Sequence, residues 1–151
     1  MAGKDTQILH ELRTLLGDAI ASDALQIYNA KVADLVLFEY DFAVHGGAIG
    51  DIEVGPPSPS GTVILDGMLE IVTAPTTDTT ATVALTVETA ADILAATDTG
   101  SLSVGLADVI PVGTAATAVK TTEERKVTVT IASGALTAGK IRGVLRTVLL
   151  G

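Results

Sequence analysis

The side chains able to do chemistry in this sequence are few and far apart. Its 151 residues include no Cys, no Trp, two His and nine Lys plus Arg. Covalent catalysis needs a nucleophile beside a base, and the imidazole bases are His10 and His45. His45 stands at a predicted strand end before Gly46 and Gly47, without Ser, Cys or Asp at triad spacing. It reads as a turn residue, with ligand contact as the alternative. His10 lies on a predicted helix, off its apolar stripe, and reads as a surface residue. There is no Gly-x-Ser-x-Gly elbow, Walker loop, dinucleotide fingerprint or His-Glu-x-x-His. Asp51 and Glu53 share one face of a short predicted strand, so a carboxylate pair or a Ca²⁺ site is formally open. Neither has supporting residues, and Asp78 among threonines reads as a turn residue. Tyr28 and Tyr40 are the only Tyr, which leaves no stacking platform for a sugar. The expectation is a protein that holds a partner rather than transforming one: no enzyme, no cofactor, no metal.

The elements that would position these residues fall into two regions. Asp5 or Thr6 can cap a helix whose Ile8, Leu9, Leu12, Leu15 and Leu16 form one face of a 3.6-residue period, with Gly17 as the stop. Such a helix is too short to be stable alone. Its Leu9, Leu12 and Leu16 stripe is expected to dock on the chain's own body or on a neighbouring subunit. Residues 18–33 would allow a second helix or an extended arm, so 1–33 is read as an N-terminal helix and arm.

From Leu35 the period becomes two. Val36, Phe38, Tyr40, Phe42 and Val44 would share one face of a strand running to Val44, with Leu37, Glu39, Asp41 and Ala43 on the other. A short strand over 51–55 follows, then a surface loop over 56–61, because its three prolines cannot lie in an inner strand. Strands are expected over 62–73, with Gly67 as a bulge or close approach, over 81–88, 126–132 and 141–149, and in shorter pieces over 101–106, 109–112 and 115–120. Residues 92–96 read as a helical turn and 135–139 as a turn or helical cap. About eight strands without helical crossovers predict a mainly β domain over 34–151, an antiparallel jelly-roll-like sandwich. In the last strand Arg142 and Arg146 would share a face with Val144 and Val148, leaving Ile141, Leu145 and Leu149 for the core. The arginines must meet solvent, the chain's own acids, or acids of a neighbour; the last would make them a docking strip.

Composition narrows the partners. Hydrophobic residues make up 48% and aromatics 3%, so small branched side chains fill the core and spare apolar surface is expected to be covered by a copy or a partner. A homodimer or homotrimer is expected. The net charge of −9 argues against nucleic acid and anionic membrane. The last 32 residues nevertheless carry six basic side chains against Glu123 and Glu124. No apolar run approaches the ~20 residues of a membrane span, and Met1–Asp5 lacks a signal-peptide apolar region. A soluble chain made in the cytosol is expected.

The stretch from Phe38 to Ile52 resembles the first strand and turn of the cement (head decoration) proteins of tailed-bacteriophage capsids. Ile110 to Lys120, Arg125 to Thr130 and Ala135 to Lys140 are similar to the second half of that family. The resemblance covers about residues 34–147. It implies a jelly-roll-like sandwich on the outer surface of the virion, bound to the major capsid protein and bridging its subunits. The family brings no catalytic residues. A tail, fibre or head-spike module that binds a host receptor is the alternative, and would call for aromatic-rich exposed loops that this chain lacks.

Overall fold

The computed structural model describes residues 34–151; backbone contacts divide the chain at this point, between 1–33 and 34–151. His10, Leu9, Leu12, Leu16 and the expected N-terminal helix and arm lie outside the described residues. The described residues form nine strands: β1 (Asp34–Asp41), β2 (Gly50–Ser58), β3 (Thr62–Thr77), β4 (Thr82–Thr86), β5 (Leu94–Asp98), β6 (Gly105–Val112), β7 (Val119–Lys120), β8 (Arg125–Ala132) and β9 (Leu136–Leu149). A one-turn helix, α1 (Phe42–His45), follows β1, and a 3-10 turn spans Thr99–Ser101.

All pairings are antiparallel. One sheet runs β1-β9-β3-β6, with β7 pairing onto β3; the other runs β2-β8-β4-β5. Apart from β7, the first strand pairs with the last, the second with the next to last, the third with β6, and the middle two with each other. That is a long hairpin rolled over itself into two sheets, the jelly roll expected from the sequence.

The alternation of β8 and β9 sets the core. Val127, Val129 and Ile131 point inward from one sheet, Ile141 and Leu145 from the other, all at most 2% exposed. They meet Phe38 and Tyr40 of β1, Leu69 and Ile71 of β3, and Val83 and Leu85 of β4. Strand β3 changes phase midway: Ile64 is buried on one side of an irregularity in its pairing with β9, Leu69 and Ile71 on the other. One extra residue in the ladder moves the inward set from even to odd positions. Gly67 sits just past this shift, where a Cβ would lie 2.5 Å from the Val144 carbonyl oxygen and 2.7 Å from Leu145. The close approach read from the sequence at Gly67 is therefore present, while the bulge against β9 lies two residues earlier, at Leu65.

Several boundaries differ from the sequence reading. Strand β1 stops at Asp41, whose carboxylate accepts the Ala43 N–H at 2.9 Å and caps α1. Val44 consequently points to solvent, 75% exposed, instead of continuing the Phe38/Tyr40 stripe. Strand β2 continues through Pro56 and Pro57 to Ser58, which is buried; the prolines are tolerated because β2 is a sheet edge and its register breaks after Val54. Residues 92–96 are not a helical turn, since β5 begins at Leu94 and pairs with β4. Residues 136–139 open β9 and pair with the far end of β3, Thr77 opposite Leu136 and Thr76 opposite Ala138. Leu149, expected in the core, is 45% exposed because β9 has run past the sandwich there.

Candidate interaction surface

Alternation along β1 and β9 puts a second set of side chains on the outer face of the five-stranded sheet. Leu37 pairs with Val144, Val144 with Met68, and Met68 with Asp108, so one row crosses β1, β9, β3 and β6. The adjacent row is Glu39, Arg142, Glu70 and Leu106. Leu37 is 64% exposed and Leu106 72%, and Leu35, Met68, Val104, Ile110 and Val112 are also exposed. A shallow groove of about 580 Å³ runs across these rows, lined by Leu37, Met68, Leu106, Val144 and the Glu39, Glu70 and Arg142 side chains.

The charges on this face pair with one another. Arg142 Nε lies 3.0 Å from Glu70 Oε2. Arg146 grips Asp66 with two nitrogens, Nε at 2.9 Å from Oδ1 and the second on Oδ2. Lys140 Nζ lies 3.3 Å from Glu39 and 3.2 Å from Asp41. The hydrogen bond from Arg146 holds the Asp66 carboxyl below its ordinary range. Asp41 is lowered chiefly by the Ala43 N–H and next by Lys140. The sequence left open whether Arg142 and Arg146 meet the chain's own acids. Here both do, beside Val144 and Val148 as the spacing required.

The opposite face, on the four-stranded sheet, is built from Thr, Ala and acids. Thr130 Oγ1 donates to Asp51 at 2.7 Å, and Lys126 Nζ lies 3.8 Å from Glu53. Near one end Glu88 accepts the Thr122 hydroxyl, the Thr122 N–H at 3.2 Å and Arg125 Nε at 3.0 Å. The Thr122 hydroxyl, then Arg125, pull the Glu88 pKa down to about 2. A carboxyl so acidic stays ionised at neutral pH and cannot serve as a general acid. A groove of about 470 Å³ borders these groups, and its Asp51, Glu53 and Glu88 carboxylates are engaged by Thr130, Lys126, and Thr122 with Arg125.

His45, read from the sequence as a turn residue at a strand end, is the last residue of the one-turn helix α1. Its Nδ1 accepts the Asp41 N–H at 3.1 Å and its ring stacks on Tyr40, centroids 5.8 Å apart. The buried Tyr40 hydroxyl donates to the Gly46 carbonyl at 2.6 Å, and burial raises the phenol's pKa. Gly46 ends α1 with φ +75°, a conformation that favours glycine. Asp92 is a residue the sequence reading missed: its carboxylate gathers the N–H groups of Val87, Glu88 and Thr89 at 2.7–2.9 Å and ties the β4–β5 loop. Among the described residues no group of three or more His, Cys, Asp or Glu is placed to hold a metal, and no helix is long and apolar enough to cross a membrane. The exposed Leu37–Val144–Met68 row was also missed, though Leu35 and Leu37 standing opposite the Phe38/Tyr40 stripe were its signal.

No protein-family model and no curated protein matches this chain. Solved structures do. A chain of the acid-stable capsid structure of Helicobacter pylori bacteriophage KHP30 aligns with TM-score 0.58 and 17% identity, over 81% of this chain and 91% of that one. A chain from the capsid of Ralstonia phage GP4 gives 0.56 and 21%, over 78% and 86%. One from the cyanophage Pam1 capsid asymmetric unit gives 0.55 and 20%, over 78% and 84%. At these identities the likeness establishes a shared fold.

Proposed function

We propose that this chain is a virion structural protein of a tailed bacteriophage, a cement protein on the outer surface of the major capsid shell. It carries no catalytic role in this reading; it bridges neighbouring shell subunits and self-associates as a dimer or trimer. The observation that carries the proposal is the jelly-roll topology, which aligns with 84–91% of the length of chains from three phage capsids. A cement role is favoured over a shell-building one by the one-sidedness of the body. Apolar side chains are exposed on one sheet face, the other face is hydroxyl-rich and acidic, and the β2 edge is blunted by Pro56 and Pro57. A tile of a closed shell needs contacts on all its edges, whereas a body laid on a shell needs one face. Bound copies would then stabilise the mature lattice by the binding free energy of each, and many equivalent sites let each contact be modest.

The test is a nonsense mutant of the gene in the encoding phage. Shells should still assemble, lack this protein, and lose DNA at lower temperature or after milder osmotic shock than wild type. Failure to form any shell would make the chain a shell-building subunit. Antibody labelling of intact virions should decorate the head, and label confined to the tail would replace the proposal with a receptor-binding module.

A further inference from the structure

We infer that the outer face of the five-stranded sheet is the shell-docking face, and that it meets an apolar ridge on the shell with a Lys or Arg at its end. The inference rests on the cement-protein reading and adds which surface binds and what chemistry opposes it.

Leu37, Val144 and Met68 form an unbroken apolar row over three strands, and Leu106 adds an exposed apolar side chain on the fourth, in the adjacent row. The polar groups beside that row are already matched: Arg142 to Glu70, Arg146 to Asp66, and Lys140 to Glu39 and Asp41. A partner can therefore cover the row without stripping water from an unpaired guanidinium, the step that makes burying an arginine costly. Asp108 is the exception. It lies opposite Met68 at the end of the row, is exposed, and forms no ion pair among the described residues. The outer face thus holds Glu39, Asp41, Asp66, Glu70 and Asp108 against Lys120, Lys140, Arg142 and Arg146, an excess of one carboxylate. A second copy placed on it would bring the same excess and another Asp108, so like charge disfavours that occupant. A partner with apolar side chains and a cation at the Asp108 end satisfies both features. Self-association is assigned to other surfaces.

Because the chain has no cysteine, Leu37→Cys and Leu106→Cys each place a single thiol on this face for maleimide labelling. The probe is the encoding phage's own DNA-emptied mature shell, stripped of this protein. Both thiols should label rapidly in the free full-length chain and at least tenfold more slowly on shells. Leu37→Ser with Leu106→Ser should weaken shell binding tenfold or more with an unchanged melting temperature. Asp108→Lys should weaken it about tenfold and reduce its salt dependence. Thiols that stay reactive on shells would overturn the inference while leaving the cement reading intact. Protection in the free chain that grows with concentration would assign the face to a second copy. Protection independent of concentration would assign it to residues 1–33 of the same chain, and either result overturns the inference. Wild-type protein that does not bind shells would instead defeat the cement reading.

Discussion

The two outward faces of the sandwich are made by the same alternation and end in opposite chemistry. On the four-stranded sheet the outward positions of β4 and β8 are mostly short, Thr82, Ala84, Thr86, Thr128 and Thr130 with Lys126 among them; the Thr130 hydroxyl donates to Asp51 and that of Thr86 accepts the Ala91 N–H. On the five-stranded sheet the corresponding positions are Leu37, Met68 and Val144, framed by ion pairs. Folding uses only the inner faces, so the outer ones are free to differ. Leu and Met on a solvated face contribute little to stability and are what a binding surface requires. The threonine face has the β propensity to form strands without the surface to bind.

That contrast should show most strongly across one sheet. Leu69 on β3 faces inward and is fully buried, while Leu106, on the paired strand β6, faces out. Leu69→Ala should lose about 2–5 kcal/mol in denaturant unfolding, from lost transfer energy and the cavity left behind. Leu106→Ala should stay within about 0.5 kcal/mol. A comparable loss at Leu106 would mean that the outer face belongs to the core. Gly143 sharpens the same point from the opposite direction. A Cβ there would lie 2.6 Å from Phe38 Cε1 and 2.9 Å from Leu69 Cδ2. Gly143→Val should therefore destabilise by about 1–3 kcal/mol through overpacking, readable as a lower Tm.

Acid distinguishes the faces next. Glu88, at the end of the threonine face, titrates near 2 when folded against an ordinary value of 4.5. As pH falls below about 4.5 the unfolded chain takes up this proton first, so stability declines from there down to about 2 and the contribution is gone below that. Asp66 and Asp41, also lowered, act in the same direction. Melting temperature measured from pH 6 to pH 2.5 should fall through this window, and Glu88→Gln should flatten the fall. An unchanged profile in that variant would remove Glu88 from the account.

Much of this was legible in the sequence because β1, β8 and β9 keep a strict two-residue period with large side chains on the inner face. Tyr40, Val129 and Ile141 could be placed from alternation alone. Legibility failed where the partner strand is distant. Ala135 to Gly139 has the composition of a turn, yet from Leu136 on it is strand because Thr76 and Thr77, some 60 residues earlier, supply its ladder. Asp92 misled for the opposite reason: a helix-start residue in sequence, it spends its carboxylate on three loop N–H groups. The Arg142/Arg146 face followed from spacing four apart. That Glu70 and Asp66 stand opposite depends on the β3–β9 register, including its bulge, which no local pattern specifies.

The smallest expected effect concerns the ion pairs that frame the apolar row. Arg142 and Glu70 are each about half exposed, at 51% and 49%, so water screens their attraction and the pair should contribute under about 1 kcal/mol. Arg146 and Asp66 have better geometry, with two parallel N–H···O bonds, and should lie toward the top of that range. Double-mutant cycles to Ala for each pair, read by urea unfolding, give the coupling directly. Coupling below about 1 kcal/mol in both would fit charges that keep the face matched and open rather than hold the fold together. The charge reversal Arg142→Glu with Arg146→Glu should then lower the melting temperature only slightly, although it sets like charges against Glu70 and Asp66. Coupling well above 2 kcal/mol, or collapse of the reversed variant, would make these rows structural and erase the division between an inner face that folds and an outer face that binds.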